Sequence, residues 1–129
     1  MSARSLPDAR RCQEWAEEML SYARTAGADS AEVLVRDGSE LEVKVRLGEP
    51  ELVKDAGSRA LGLRVLRDYR AAVAYTSDFA PAAMRQFARE SVDLSALAEP
   101  DPLADLPDRH EMARTVPGLD LWDETAPSL

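Results

Sequence analysis

Apolar residues recur at helical spacing near the start of the chain. Cys12, Trp15, Ala16, Met19, Leu20 and Ala23 fall at i, i+3, i+4, i+7, i+8 and i+11, which makes one stripe along a helix over residues 5–26. Ser5 followed by Asp8 resembles a capping box, Pro7 is tolerated in a first turn, and Gly27 is a natural stop. The period then shortens to two. Ala31, Val33 and Val35 alternate with Glu32, Leu34 and Arg36, predicting a strand over 31–36, and Asp37-Gly38 reads as a tight turn. Leu41, Val43, Val45 and Leu47 alternate with Glu42, Lys44 and Arg46, the pattern of a strand with one face buried and one wet. Gly48-Glu49-Pro50 turns the chain again, and residues 51–55 make a short third strand.

After Gly57-Ser58, the residues Leu61, Leu63 and Val65 alternate with Gly62, Arg64 and Leu66 as a fourth strand. Gly62 inside it predicts a close backbone approach or a bulge. Residues 67–70 read as a hairpin loop, and Ala71, Val73 and Tyr75 continue as a fifth strand. Pro81 opens a second helix running to about Leu97, with Met84, Phe87, Ala88, Ser91 and Val92 at helical spacing and Leu94 or Ser95 next. The order α-β-β-β-β-β-α predicts an α+β domain, an antiparallel sheet of about five strands with both helices on one face.

Composition divides the chain. Residues 1–97 hold 14 Lys/Arg against 16 Asp/Glu, whereas residues 98–129 hold two Arg against eight acids, so most of the net charge of −8 sits in the last stretch. Five of the eight prolines lie there too. The expected organisation is a folded domain over 1–98 and an extended, acidic, Pro-rich linker or docking segment over 99–129. This charge disfavours direct binding to nucleic acid or to an anionic membrane, which needs a basic surface. No stretch reaches the roughly 18 apolar residues of a membrane-spanning helix. No apolar secretory segment follows Arg4, so the expected location is the cytoplasm.

Chemistry-bearing residues are few. His110-Glu111 suggests zinc, but Arg114 stands where His-Glu-x-x-His needs its second imidazole, and His110 is the only histidine. It reads as a surface loop residue. Cys12, the only cysteine, reads as a buried, inert thiol on the helix stripe. Asp101, Asp105, Asp108, Asp120, Asp123 and Glu124 lack the spacing of a calcium loop and read as a solvated acidic segment. Ser77 and Asp78, ahead of the second helix, read as turn formers rather than an anion site. Neither a phosphate loop nor a nucleophile elbow is present. No catalytic, metal-binding or cofactor-binding residue is therefore expected. One binding feature stands out: the short charged strand at Leu52, Val53 and Lys54 is a candidate sheet edge for capturing an extended peptide.

The order of local motifs resembles the N-terminal domain of the TldD/PmbA family. Ala26-Gly27-Ala28-Asp29-Ser30-Ala31-Glu32-Val33 matches a helix end running into the first strand. Arg46-Leu47-Gly48-Glu49 is similar to the family's R-x-G-E turn, Ala60-Leu61-Gly62-Leu63-Arg64-Val65 to its ALGxxV strand, and Thr76-Ser77-Asp78-Phe79-Ala80-Pro81 to the start of its second helix. Glu99-Pro100-Asp101-Pro102 with Pro117-Gly118-Leu119-Asp120-Leu121-Trp122-Asp123 resembles the PmbA (TldE) branch. Ala80 departs from the pattern, standing where a Ser usually caps the helix.

The resemblance implies a proteolysis-related, non-catalytic domain, inactive alone. It would act as scaffold or partner subunit of a TldD-type zinc peptidase that processes unfolded peptides. Zinc is implied only in that partner, not in this chain. Family members are several times longer, so the implied partners are a TldD-like subunit or a missing C-terminal domain, with an oligomer possible. A stand-alone peptide-binding or protein-interaction module using a sheet edge is the competing expectation.

Overall fold

In the computed structural model, residues 9–121, 123 and 125 are described. The chain forms α1 (Ala9–Thr25), β1 (Ser30–Arg46), β2 (Glu49–Arg67), β3 (Arg70–Thr76) and α2 (Pro81–Ser95). The sheet is antiparallel with spatial order β1-β2-β3.

The stripe on α1 behaves as its spacing requires: Trp15, Met19 and Ala23 are buried. Gly27, at φ 103°, ends the helix. Its N–H donates to the Arg24 carbonyl at 3.0 Å, and the Ala28 N–H donates to Ala23 at 3.1 Å. Those two bonds are the Schellman pattern, which satisfies carbonyls that would otherwise lack donors. The expected Ser5–Asp8 cap lies outside the described residues. On α2, Met84, Ala88, Ser91, Val92 and Ser95 are buried, whereas Leu94 is half exposed. The two buried hydroxyls donate back along the helix, Ser91 to the Phe87 carbonyl and Ser95 to Val92.

Both helices cover one face of the sheet. Leu61, Leu63 and Val65 of β2 are fully buried beneath them, with Ala72 of β3 and the half-buried Ala31, Val33 and Val35 of β1. Burying each large side chain contributes roughly 1.5–3 kcal/mol, and this cluster dominates the stability of the body. The other face is open. Leu34, Val73 and Tyr75 lie there, 75%, 70% and 84% exposed.

The five expected strands are three. The first two are one continuous β1, and the third and fourth are one continuous β2. Asp37-Gly38 is not a turn. A two-residue hairpin needs positive φ at its centre, and Gly38 does not adopt it. Asp37, Gly38 and Ser39 instead pair with Arg59, Ser58 and Gly57. The reversal occurs at Leu47 (φ 52°) and Gly48 (φ 84°), so Glu49 and Pro50 already belong to β2. Gly62 marks neither a bulge nor an unusual approach, because it pairs in register with Leu34 and Tyr75, and an added Cβ would meet the Leu34 carbonyl oxygen only at 3.9 Å. The irregularity lies near the tip, between Lys44 and Val45, beside Pro50.

The second hairpin turns at Asp68 (φ 51°) and Tyr69 (φ 59°). Outside contacts hold this left-handed pair. Asp29 accepts the Asp68 N–H at 2.8 Å, and the Tyr69 carbonyl accepts the Asp101 N–H at 2.7 Å. Arg70 donates to the Ala96 and Ala98 carbonyls, tying the end of α2 to the same turn. Beyond α2 the described residues form turns and bends with no further helix or strand.

The N-terminus of α2 is a place where stability can be gained. Asp78 accepts the Ala80 N–H at 2.9 Å, making a local turn, but Ala80 itself offers no side-chain cap. Its φ of −64° and ψ of 132° are already those of an N-cap residue. Ala80→Ser is expected to stabilise the chain by about 1 kcal/mol, read as a raised urea midpoint at unchanged m-value.

Candidate interaction surface

The helices end before the sheet does. At about 3.3 Å per residue, β1 and β2 run on together for some 30 Å beyond Asp37 and Arg59 as a two-stranded ribbon. Side chains alternate along it as they do in the body, so Leu41, Val43 and Val45 continue the row of Val33 and Val35. With no helix above them, Val43 is 46% and Val45 62% exposed. The half-buried strand expected over 41–47 is therefore wet on both faces from Val43 onward. Leu47 at the tip is 96% exposed in a left-handed backbone, where a bulky residue is uncommon.

The base of the ribbon is anchored. Asp37 and Arg59 face each other across the ladder, and the guanidinium donates to the Asp37 carboxylate at 2.9 and 3.1 Å. The same guanidinium lies 4.9 Å from the Trp15 ring and 5.9 Å from that of Phe79, and Arg11 approaches Trp15 at 4.9 Å. The two rings meet at 4.5 Å, tilted by 51°. One cation thus links β1, β2, α1 and the segment before α2.

The residues expected to form an isolated edge strand lie elsewhere in the topology. Leu52, Val53 and Lys54 sit within β2, opposite Lys44, Val43 and Glu42. A free side remains. β3 pairs with β2 only from Leu61 onward, so along the ribbon the β2 edge away from β1 carries no strand among the described residues. Leu52 is 41% and Val53 47% exposed.

The other expected residues stay apart from this surface and from each other. His110 is exposed, 3.9 Å from Asp108. Cys12 is half-buried against the margin of the core rather than fully buried. In the acidic segment, the hydroxyl and then the N–H of Thr125 hold the Asp123 carboxyl below its usual range. No three His, Cys, Asp or Glu side chains converge in metal-binding geometry among the described residues. Among them, too, no helix is long and apolar enough to cross a membrane.

Sequence reasoning missed the anchor. Arg59 and Trp15 are remote in the chain, and only the register of a continuous ladder brings Arg59 opposite Asp37. No sequence signal pointed to it, because Asp37-Gly38 is a turn-forming pair that hides the continuity of the ladder. Arg59→Ala is expected to lower stability by about 1–2 kcal/mol, with Arg59→Lys intermediate, in urea unfolding. The pair is partly exposed, which keeps this value small.

Comparison with known proteins follows the same outline. A family model described as PmbA/TldA metallopeptidase domain 1 matches residues 31–95. Metalloprotease PmbA of Escherichia coli O157:H7 is 33% identical over 109 residues, 82% of this chain and 24% of that protein. A PmbA homologue of Haemophilus influenzae is 34% identical over 103 residues, 80% of this chain and 23% of that protein. The chain thus spans about a quarter of the length of these curated relatives. Two crystal structures share the fold: a Bacteroides thetaiotaomicron protein classed as a modulator of DNA gyrase (TM-score 0.77, 18% identity, 88% of this chain and 25% of that one), and TldE from Thermococcus kodakarensis (TM-score 0.63, 19% identity, 73% and 21%). Because the family model covers half of the chain, from the start of β1 to the end of α2, the chain belongs to the PmbA/TldA metallopeptidase family through its first domain.

Proposed function

We propose that the chain is the non-catalytic N-terminal domain of a PmbA/TldE-like protein, acting as scaffold or partner subunit for a TldD-type zinc peptidase that processes unfolded peptides. One observation carries this reading: a family domain spanning a quarter of its relatives projects an apolar-faced ribbon that its own helices do not cover. A two-stranded ribbon is marginally stable in water by itself, so a ribbon of this length gains from a surface to rest on. The remainder of such a peptidase, or its TldD-like subunit, supplies that surface. The catalytic zinc belongs to that subunit in this reading. The work is expected to take place in the cytoplasm, within residues 1–98, with 99–129 as the connecting segment.

The purified chain is expected to leave a reduced, unfolded protein such as casein intact, with or without added zinc. Zinc-dependent cleavage that chelation abolishes would overturn the non-catalytic role.

A second reading draws on the free side of β2. There an extended peptide would add as a strand beside Leu52, Val53 and Lys54, its backbone supplying the pairing. Titration with an extended peptide is then expected to shift the backbone amide signals of residues 51–55 in NMR spectra. Unchanged signals there would remove this reading.

A further inference from the structure

Among the described residues, the outer edge of β1 is open along its whole length. β2 occupies its other side, and among the described residues no backbone hydrogen bond outside the sheet's own ladders reaches residues 30–46. A seventeen-residue edge of this kind is a template for another strand.

This edge is complementary to itself. Let β1 run antiparallel to a copy of β1, about a two-fold axis at Gly38, the midpoint of the strand. Ser30 then faces Arg46, and the whole strand is paired. On the open face Glu32 meets Lys44 and Arg36 meets Glu40. On the helix-bearing face Ala31 meets Val45, Val33 meets Val43, and Val35 meets Leu41. No like charges are directly opposed. Opposite charges and apolar pairs placed across strands each favour the pairing, and like charges oppose it.

Neighbouring registers that keep the helix-bearing faces together fit less well. An axis at Asp37 sets Glu32 against Glu42, and an axis at Glu40 sets Arg36 against Lys44. An axis at Ser39 avoids like charges but sets two leucines against charges, Leu41 against Asp37 on the helix-bearing face and Leu34 against Lys44 on the open one, whereas the Gly38 axis sets only Leu34 against Glu42, on the open face.

We propose that a second copy of this chain docks on β1 in the Gly38-centred register. The product is a continuous six-stranded sheet with all four helices on one face. Each copy's exposed Val43 and Val45 then lie beside the other copy's Val33 and Ala31, at the margin of its α1. Leu47, the 96% exposed apolar tip, arrives next to position 29 of the other copy. There Leu20, Arg24, Ala28 and Ala31 line a hollow of about 160 Å³. The strand edge, the ribbon row and the tip thus find their complements in one symmetric arrangement. Such a dimer does not depend on the peptidase role, which the cleavage assay tests separately.

The test uses the full 129-residue chain. In a Cys12→Ser background the introduced thiol is the only one, and at Gly38 an added Cβ meets no atom within 4 Å. Gly38→Cys is expected to oxidise to a disulfide-linked dimer. Ser58→Cys, opposite Gly38 on β2 and away from the proposed interface, forms no disulfide-linked dimer. In sedimentation the unmodified chain is expected to show a reversible monomer–dimer equilibrium. Arg36→Glu or Glu40→Arg weakens it about ten-fold, and the double variant restores it because the exchanged charges again face each other across the axis. A chain that stays monomeric at every concentration overturns the proposal. So does a dimer that Gly38→Cys does not trap, or one indifferent to the charge exchange.

Discussion

The β1–β2 ladder runs through seventeen register pairs, but the helices cover only the pairs nearest the β2–β3 turn. Much else in the molecule follows from that mismatch. Where the helices lie, the ladder is the floor of a dry core, and Leu61, Leu63 and Val65 are lost to solvent. Where the helices stop, the same alternation continues over open space and yields an apolar face that is wet. The Arg59 cluster marks the boundary. Its guanidinium pairs with Asp37 across the ladder and lies over the aromatic end of the core, where the buried floor gives way to the ribbon.

How much of this was legible in the sequence depends on whether local or non-local forces decide it. Both helices were legible, because a 3.6-residue stripe states which side is buried before any partner is known. The Schellman stop at Gly27 and the turn at residues 67–70 were legible for the same local reason. The strand count was not. Asp37-Gly38 and Gly57-Ser58 carry turn-forming residue types, yet each glycine meets its opposite strand in a regular ladder. Glycine permits a turn and does not compel one. The burial of 41–47 was misjudged because alternation reports only that two faces differ, not whether anything covers the apolar one.

The candidate surface was half legible. Leu52, Val53 and Lys54 do border an unpaired edge, but as part of a long central strand rather than a short marginal one. The open edge of β1 gave no sequence signal, since strand order is a non-local property. Family membership adds a context in which such edges make sense. In the curated relatives the matched stretch is about a quarter of a longer chain, whose remainder can cover apolar surface that the stretch leaves open. The concentration of negative charge after α2 leaves residues 1–97 nearly neutral.

β1 and β2 form one continuous ribbon through Gly38 and Gly57, and cross-strand nuclear Overhauser contacts in the labelled chain report on that continuity. Contacts are expected between Gly38 and Ser58, Leu41 and Asp55, and Val43 and Val53. Their absence, together with contacts that fold residues 41–47 back onto 31–36 through a tight turn at Asp37-Gly38, would rule the continuous ribbon out.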